Sequence, residues 1–371
     1  MTLTDLTPET PRFRTSEEVF DELEAACATN PDIAELEILG RSEEGRPIAG
    51  VTLGYGPHRM TLVAGAHADE PVGPETLRTL ITDGLAARGW GAESGGLESL
   101  WEQVTLQIVP HVNPDGEARN QGWIQAWDES DLASSLRAYL QERRREPPGR
   151  DIEFGYPALR RENEAVSRFL FDGSPIALHA SLHGMGFSEG ALLLIDKTWI
   201  DRTKTVPLRE GYELAAASVG LRLHDHDRGA EKGFRYAGPG FWTTPEGRAM
   251  RQHFLDLGDP ETAGKFRLSS MEHAIETGSI ASSTPLCVVT ELPLFQLAAE
   301  YDHQPGVPDL LFQFRELQPE LVAAAASGDA LAPLVEPLGM QMVPLRDAIR
   351  VQLATLELAM EALRSGNDGQ S

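Results

Sequence analysis

Only two cysteines, Cys27 and Cys287, occur in 371 residues. That is too few for a disulfide framework or a thiolate zinc site. The first falls in an amphipathic stretch and the second in an apolar one, where buried thiols are commonplace. Long apolar runs are missing too. Stretches such as Ala191–Ile195 are strand-sized, far below the roughly 20 residues that cross a bilayer. The first ten residues hold no basic region followed by an apolar run, so no secretory or transit signal is read and a cytoplasmic location is expected. Basic residues are scarce: 32 Lys and Arg stand against 57 Asp and Glu, a formal net charge of -25. This balance repels nucleic acid phosphates and anionic membrane surfaces, so neither is expected as a partner.

What is present suits an ordinary globular protein, 41% hydrophobic and 24% charged,. Thr15-Ser-Glu-Glu18 reads as a capping box opening a helix that ends near Asn30-Pro31,. Strands are expected at 34–39, 48–53, 60–64, 104–109, 176–182, 191–195 and 286–290, with helices at 74–85, 132–145, 161–171, 208–219 and 345–363,. Apolar strands between amphipathic helices predict an α/β fold: a mixed, mostly parallel twisted sheet covered by helices on both faces. Residues 1–300 are expected to form the catalytic domain and 301–371 a helical extension packed on it. Three stretches lack a periodic pattern. Residues 224–285 read as loops decorating a site, 88–100 as a surface loop and 365–371 as a frayed tail,.

Chemistry gathers at predicted strand ends, where α/β proteins place their ligands. His67-Ala-Asp-Glu70 follows the strand at 60–64 and offers the imidazole and carboxylate that zinc takes,. His273-Ala-Ile-Glu276 has the same spacing and reads as a decoy. Asn113-Pro-Asp-Gly116 and Arg119-Asn120 follow the strand at 104–109, and the predicted strands at 176–182 and 286–290 end in Ser181-Leu-His183-Gly184 and Thr290-Glu291-Leu-Pro293. His179 and His183 lie four apart in one strand, share a face, and both qualify as a third ligand, with His183 favoured by its place at the strand end. Glu291 stands among apolar neighbours, where a carboxylate is costly unless paired or functional. His224-Asp-His226 reads as a solvated polar turn.

This ordered set resembles the zinc carboxypeptidase (M14) family over roughly residues 35–295, including Gly40–Pro47 as its strand–turn–strand. The resemblance implies one zinc per chain held by His67, Glu70 and His183, Glu291 as general base and Arg119 as the cation that polarises the scissile carbonyl. It implies a metallopeptidase-like hydrolase acting on a small peptide. The chemistry is coherent on its own terms: two histidines and a carboxylate leave zinc one open position, where water becomes a nucleophile near neutral pH.

Two elements of the family pattern are absent. Where the family carries a Gly-x-Asp-x-Asn-Arg segment that grips a terminal carboxylate, this chain has Gly149-Arg-Asp151-Ile-Glu153-Phe154. A carboxylate and a ring replace the fork. The family's tyrosine ahead of the last strand has no match in Glu276–Thr284. Non-standard specificity is therefore expected, with Asn120, Arg160, Arg161 or Arg150 as displaced substrate contacts. Two alternatives stay open: a deacylase of N-acyl amino acids, of the aspartoacylase or succinylglutamate desuccinylase kind, and an inactive peptide- or partner-binding relative.

Overall fold

The computed structural model describes residues 2–88, 97–173, 175–280 and 283–364. Its first α-helix, Ser16–Thr29, opens on the expected capping box: Thr15 Oγ1 accepts from the Glu18 N–H at 3.0 Å, and Glu18 Oε2 accepts from the Thr15 N–H at 2.8 Å. The strands, in chain order, are β1 (Ala34–Arg41), β2 (Pro47–Leu53), β3 (His58–Ala64), β4 (Val104–Val109), β5 (Leu178–Ser188), β6 (Leu192–Ile195), β7 (Phe241–Thr243), β8 (Leu286–Leu297) and β9 (Met340–Met342). They form one sheet in the order β1-β2-β4-β3-β5-β8-β6-β7, with β9 on β8. The central block β4-β3-β5-β8 is parallel throughout. Antiparallel pairs attach β2 to β4 on one side and β6 to β8 on the other.

Side-chain alternation explains why both faces are covered. Met60, Leu62 and Ala64 of β3 and Leu286, Val288 and Leu292 of β8 join one apolar cluster, which includes Leu77, Leu80 and Ile81 of helix Val72–Ala86 and Ile349, Leu353 and Leu356 of helix Leu345–Arg364. Val63, Cys287 and Val289 point the other way, onto Val166 and Leu170 of helix Arg161–Phe171 and Met271 of helix Ser270–Gly278. Each such side chain, fully buried, contributes about 1.5–3 kcal/mol.

Two strands run further than their sequences predict. β5 continues to Ser188 and β8 to Leu297, through Pro293. Proline lacks the ladder donor. It is tolerated because β6 pairs with β8 only as far as Glu291, whereas β9 pairs from Phe295 onward. Residues 224–280 are also more regular than expected: β7 and helices Gly247–Asp256, Pro260–Ala263 and Ser270–Gly278 lie there. Gly247–Asp256 fully buries only its first residue and half-buries Ala249, Met250 and Phe254. Of the expected loop at 88–100, helix Leu97–Trp101 is described; residues 89–96 and the tail 365–371 lie outside the described residues. The C-terminal segment supplies β9 as well as helices. Gln352, on helix Leu345–Arg364, donates to the His183 carbonyl and to Thr290 Oγ1, both at 3.0 Å.

Candidate metal centre

β3 ends at Ala64, opposite Leu182 of β5. Gly65 then takes a positive φ of 74°, a conformation glycine adopts without strain, and its Cα lies against the His111 ring where a Cβ has no room,. The turn carries His67 and Glu70 over β5 at the point where β3 no longer covers it. His183 is the next residue of β5, and Glu291 is its register partner on β8. Both side chains stand in mid-strand, at the edge left by a shorter neighbour, and not at strand ends as the sequence suggests.

Three donor atoms, one each from His67, Glu70 and His183, lie within 4.8 Å of one another. His67 Nδ1 is 3.0 Å from Glu70 Oε1, His183 Nδ1 is 2.9 Å from Glu70 Oε2, and the two Nδ1 atoms are 3.2 Å apart. A tetrahedral zinc with bonds of about 2.1 Å holds its ligands roughly 3.4 Å apart, so the spacing fits that ion. The far nitrogens are already engaged: His67 Nε2 is 3.5 Å from Asp151 Oδ1, and His183 Nε2 is 2.9 Å from Ser181 Oγ and 3.3 Å from Glu153 Oε2. Such partners fix ring orientation and leave Nδ1 as the donor of each imidazole.

The electrostatics also call for a cation. Burial alone depresses both imidazoles, but the carboxylates outweigh it, holding His183 at about 10 and His67 well above its usual value. Glu70 lies below the usual carboxylate range, its burial overcome by His67 and His183. Burial, and then the Glu70 charge, push Glu291 up to about 8. Among the described residues the Glu291 side chain makes no hydrogen bond, and it faces a cavity of about 470 Å³ that His67 and Glu70 also line.

His179 is not part of this cluster. Its Nδ1 pairs with Thr61 Oγ1 at 2.9 Å, its ring meets Phe171, and burial lowers its pKa to about 3. His273 bonds Ser167 at 2.9 Å and Glu276 pairs with Arg248, so the second H-x-x-E is structural. Asn113 Oδ1 caps the helix Pro114–Gln125 through the Gly116 N–H at 3.0 Å, while Asp115 binds Ser42, the Glu44 N–H and Arg46.

The substrate-side expectations need correction. Arg119 does not line the cavity: it is held by Glu44 and, at 3.2 Å, by Glu146. Asn120 is buried and spends its amide on the Gly116 and Arg144 carbonyls, the Trp123 indole and the Arg144 N–H. Arg160 is buried against Glu162 and the Arg150 carbonyl, and Arg150 pairs with Glu43. Arg161 is an exposed residue at the start of its helix. Chain order put these residues near the site, but none of the five lines the cavity. Arg143 and Arg145 line the cavity instead, both drawn in by buried Asp69, at 3.7 and 2.9 Å. Asp151, Glu153 and Arg145 went unrecognised in the sequence. Phe154 packs on Phe266 with ring centroids 5.5 Å apart, and Glu153 Oε1 accepts from Ser270 Oγ at 3.2 Å. His224 and His226 are buried in the cavity wall, not solvated.

The chain thus presents a mixed sheet with a His-Glu-His cluster beside its parallel core. The zinc carboxypeptidase family profile matches residues 19–188, and that part of the chain is similar to the family. Zinc carboxypeptidase A 1 of Anopheles gambiae is 28% identical over 157 residues, 42% of this chain and 34% of that protein. Gamma-D-glutamyl-L-diamino acid endopeptidase 1 of Lysinibacillus sphaericus is 35% identical over 80 residues, 21% of this chain and 20% of that protein. The chain thus aligns with about a third or less of the length of these relatives. A metallo-carboxypeptidase from Burkholderia cenocepacia superposes with a TM-score of 0.51 at 16% identity, covering 94% of this chain and 70% of that one; this likeness concerns the fold. No described helix is long and apolar enough to cross a membrane.

Proposed function

We propose that this chain is a zinc-dependent hydrolase that cleaves an amide bond of a small peptide-like substrate, with non-standard carboxypeptidase specificity. The observation that carries the reading is the juxtaposition of the His67–Glu70–His183 cluster with Glu291, an unpartnered carboxylate facing the same cavity. A binding module gains nothing from such a group, whose desolvation is costly. Zinc held by the three residues would acidify a water and polarise a carbonyl.

The rest falls to the chain's own side chains. Glu291 accepts a proton at its carboxylate and returns it to the departing nitrogen, a task open to a carboxylate that faces the cavity without a partner,. Arg145, fixed by Asp69, presents a guanidinium to the oxygen that becomes negative in the transition state, the role expected of Arg119. Asp151, Ser181 and Glu153 hold the two imidazoles in place. Glu153 cannot also receive a substrate, and Phe154 offers no hydrogen bond, so a terminal carboxylate finds no fork there.

Turnover by zinc-loaded protein should be measured on short peptides with free, amidated, D- and γ-linked ends, and on N-acyl amino acids. Cleavage of a peptide arm that falls about 10²-fold or more in Glu291→Gln, with zinc content unchanged, supports the reading. Release from N-acyl amino acids alone would replace it with the deacylase. Absence of turnover on every arm would leave the binding relative.

A further inference from the structure

The cavity has a second end that the proposed chemistry does not use. Three strand spacings separate β5 from β7 in the order β5-β8-β6-β7, about 14 Å in all. Trp242 of β7 lines this far end together with His224, His226, Arg228 and, from helix Asp309–Ser327, Arg315. Arg228 lies over the Trp242 and Phe234 rings at 5.3 and 5.7 Å, and Arg315 over Phe312 at 5.8 Å.

Neither guanidinium has an ion pair or a hydrogen bond to a side chain among the described residues. The nearby carboxylates are committed elsewhere. Asp225 accepts from Tyr236 at 2.6 Å and pairs with His303 at 2.9 Å, Asp227 accepts from the Gly229 N–H at 2.9 Å, and Glu231 pairs with Lys232 at 3.4 Å. His224 Nδ1 and Trp242 Nε1 are buried without a protein partner. Buried polar groups are ordinarily satisfied, so the two orphaned nitrogens, beside the half-buried Arg228 and the exposed Arg315 on the same cavity wall, leave a place for an anion. Burial, with Arg315 adding to it, lowers the Arg228 pKa. Burial and the positive field hold His224 and His226 near 3 and 4, so both stay neutral.

We infer that Arg228 and Arg315 bind a carboxylate of the substrate, replacing at the opposite end of the cavity the fork that Glu153 and Phe154 have removed. The inference rests on the hydrolase reading for the identity of the ligand as a peptide. It makes the substrate anionic despite the chain's strongly negative charge. Guanidiniums engage a carboxylate bidentately, and Trp242 holds the Arg228 plane for that contact.

The carboxylate is either the terminal one or an acidic side chain, and calorimetry on the zinc-loaded Glu291→Gln protein separates them. Three N-acetyl tripeptides serve: one with a free terminus and a neutral side chain, one amidated with a Glu side chain, and one amidated with Gln. At least one acidic peptide should bind about tenfold or more tighter than the neutral one. Arg228→Gln and Arg315→Gln should each erase that preference, leave binding of the neutral peptide unchanged, and regain part of the preference as Lys variants. The free-terminus peptide responding identifies a terminal carboxylate; the Glu peptide responding identifies a side chain. No preference in the parent protein, or a preference that survives both substitutions, overturns the inference. A preference without turnover by the wild type would sink the hydrolase reading alone; turnover without a preference would sink the anion site alone.

Discussion

Glu291 and Arg145 carry the most exposed claims at the scale of single residues. Arg145→Ala should lower kcat about 10²-fold, whereas Arg119→Ala, which removes only the contacts to Glu44 and Glu146, should change it less than threefold or so. Steady-state kinetics on the best substrate decides; equal losses would return the oxyanion role to Arg119. His179 makes a separate prediction for stability. Its folded pKa is lowered to about 3, while in the unfolded chain it titrates near 6.5. Between these values the unfolded state holds the extra proton, so stability is full above about pH 6.5 and falls as pH drops toward 3, by at most about 1.4 kcal/mol per unit. Urea midpoints from pH 7 to 4 should decline less steeply in His179→Leu than in the wild type; parallel slopes would show that His179 is not buried neutral. The gathering of His67, Glu70 and His183 was legible because imidazole and carboxylate types at predicted strand ends are few. Arg145 was not: in Arg143-Arg144-Arg145 it looks like the solvated end of a helix, and only the fold shows Asp69 holding it at the cavity.

At the scale of elements, the site depends on how β5 and β8 are gripped from behind. Gln352 bridges them, and its Oε1 accepts from Thr76 Oγ1 at 2.6 Å, so one side chain ties the last helix, helix Val72–Ala86 and the strand bearing His183. Gln352→Leu should cost about 1–3 kcal/mol, because it leaves buried groups unpaired, and should weaken zinc binding by loosening His183. Denaturant unfolding with a zinc titration checks both; a variant as stable as the wild type would show the bridge to be idle. Gly73 makes a second close contact, since a Cβ there would overlap the Leu182 carbonyl oxygen. Periodicity gave the helices and strands of the sheet well, because they bury one clear face. It failed over 224–280, where helix Gly247–Asp256 is largely exposed. Yet Ser269-Ser-Met-Glu272 is a capping box, formed in the structure, that could have revealed helix Ser270–Gly278,. The ends of β5 and β8 were illegible for another reason: a strand outlasts its neighbours only where the sheet's outline permits, and that outline is a tertiary property.

For the whole molecule, negative charge is concentrated where a cation would relieve it. The sheet brings Glu70, Asp151, Glu153 and Glu291 around two imidazoles, in a chain already at -25. The fold class followed from composition and pattern, since apolar strands alternating with amphipathic helices have few other solutions. The second, cationic end of the cavity did not, because Arg228 and Arg315 are far apart in sequence and meet only when helix Asp309–Ser327 closes over the sheet. Zinc bound to the folded state alone should raise the thermal midpoint, by about 2.7 kcal/mol of stability at a hundredfold excess over Kd. The most direct test of the central claim is elemental analysis of the purified, zinc-equilibrated chain. About one zinc per wild-type chain, and none in His67→Ala/Glu70→Ala, is the predicted result; a metal-free wild type, or a double variant that keeps its zinc, would contradict it.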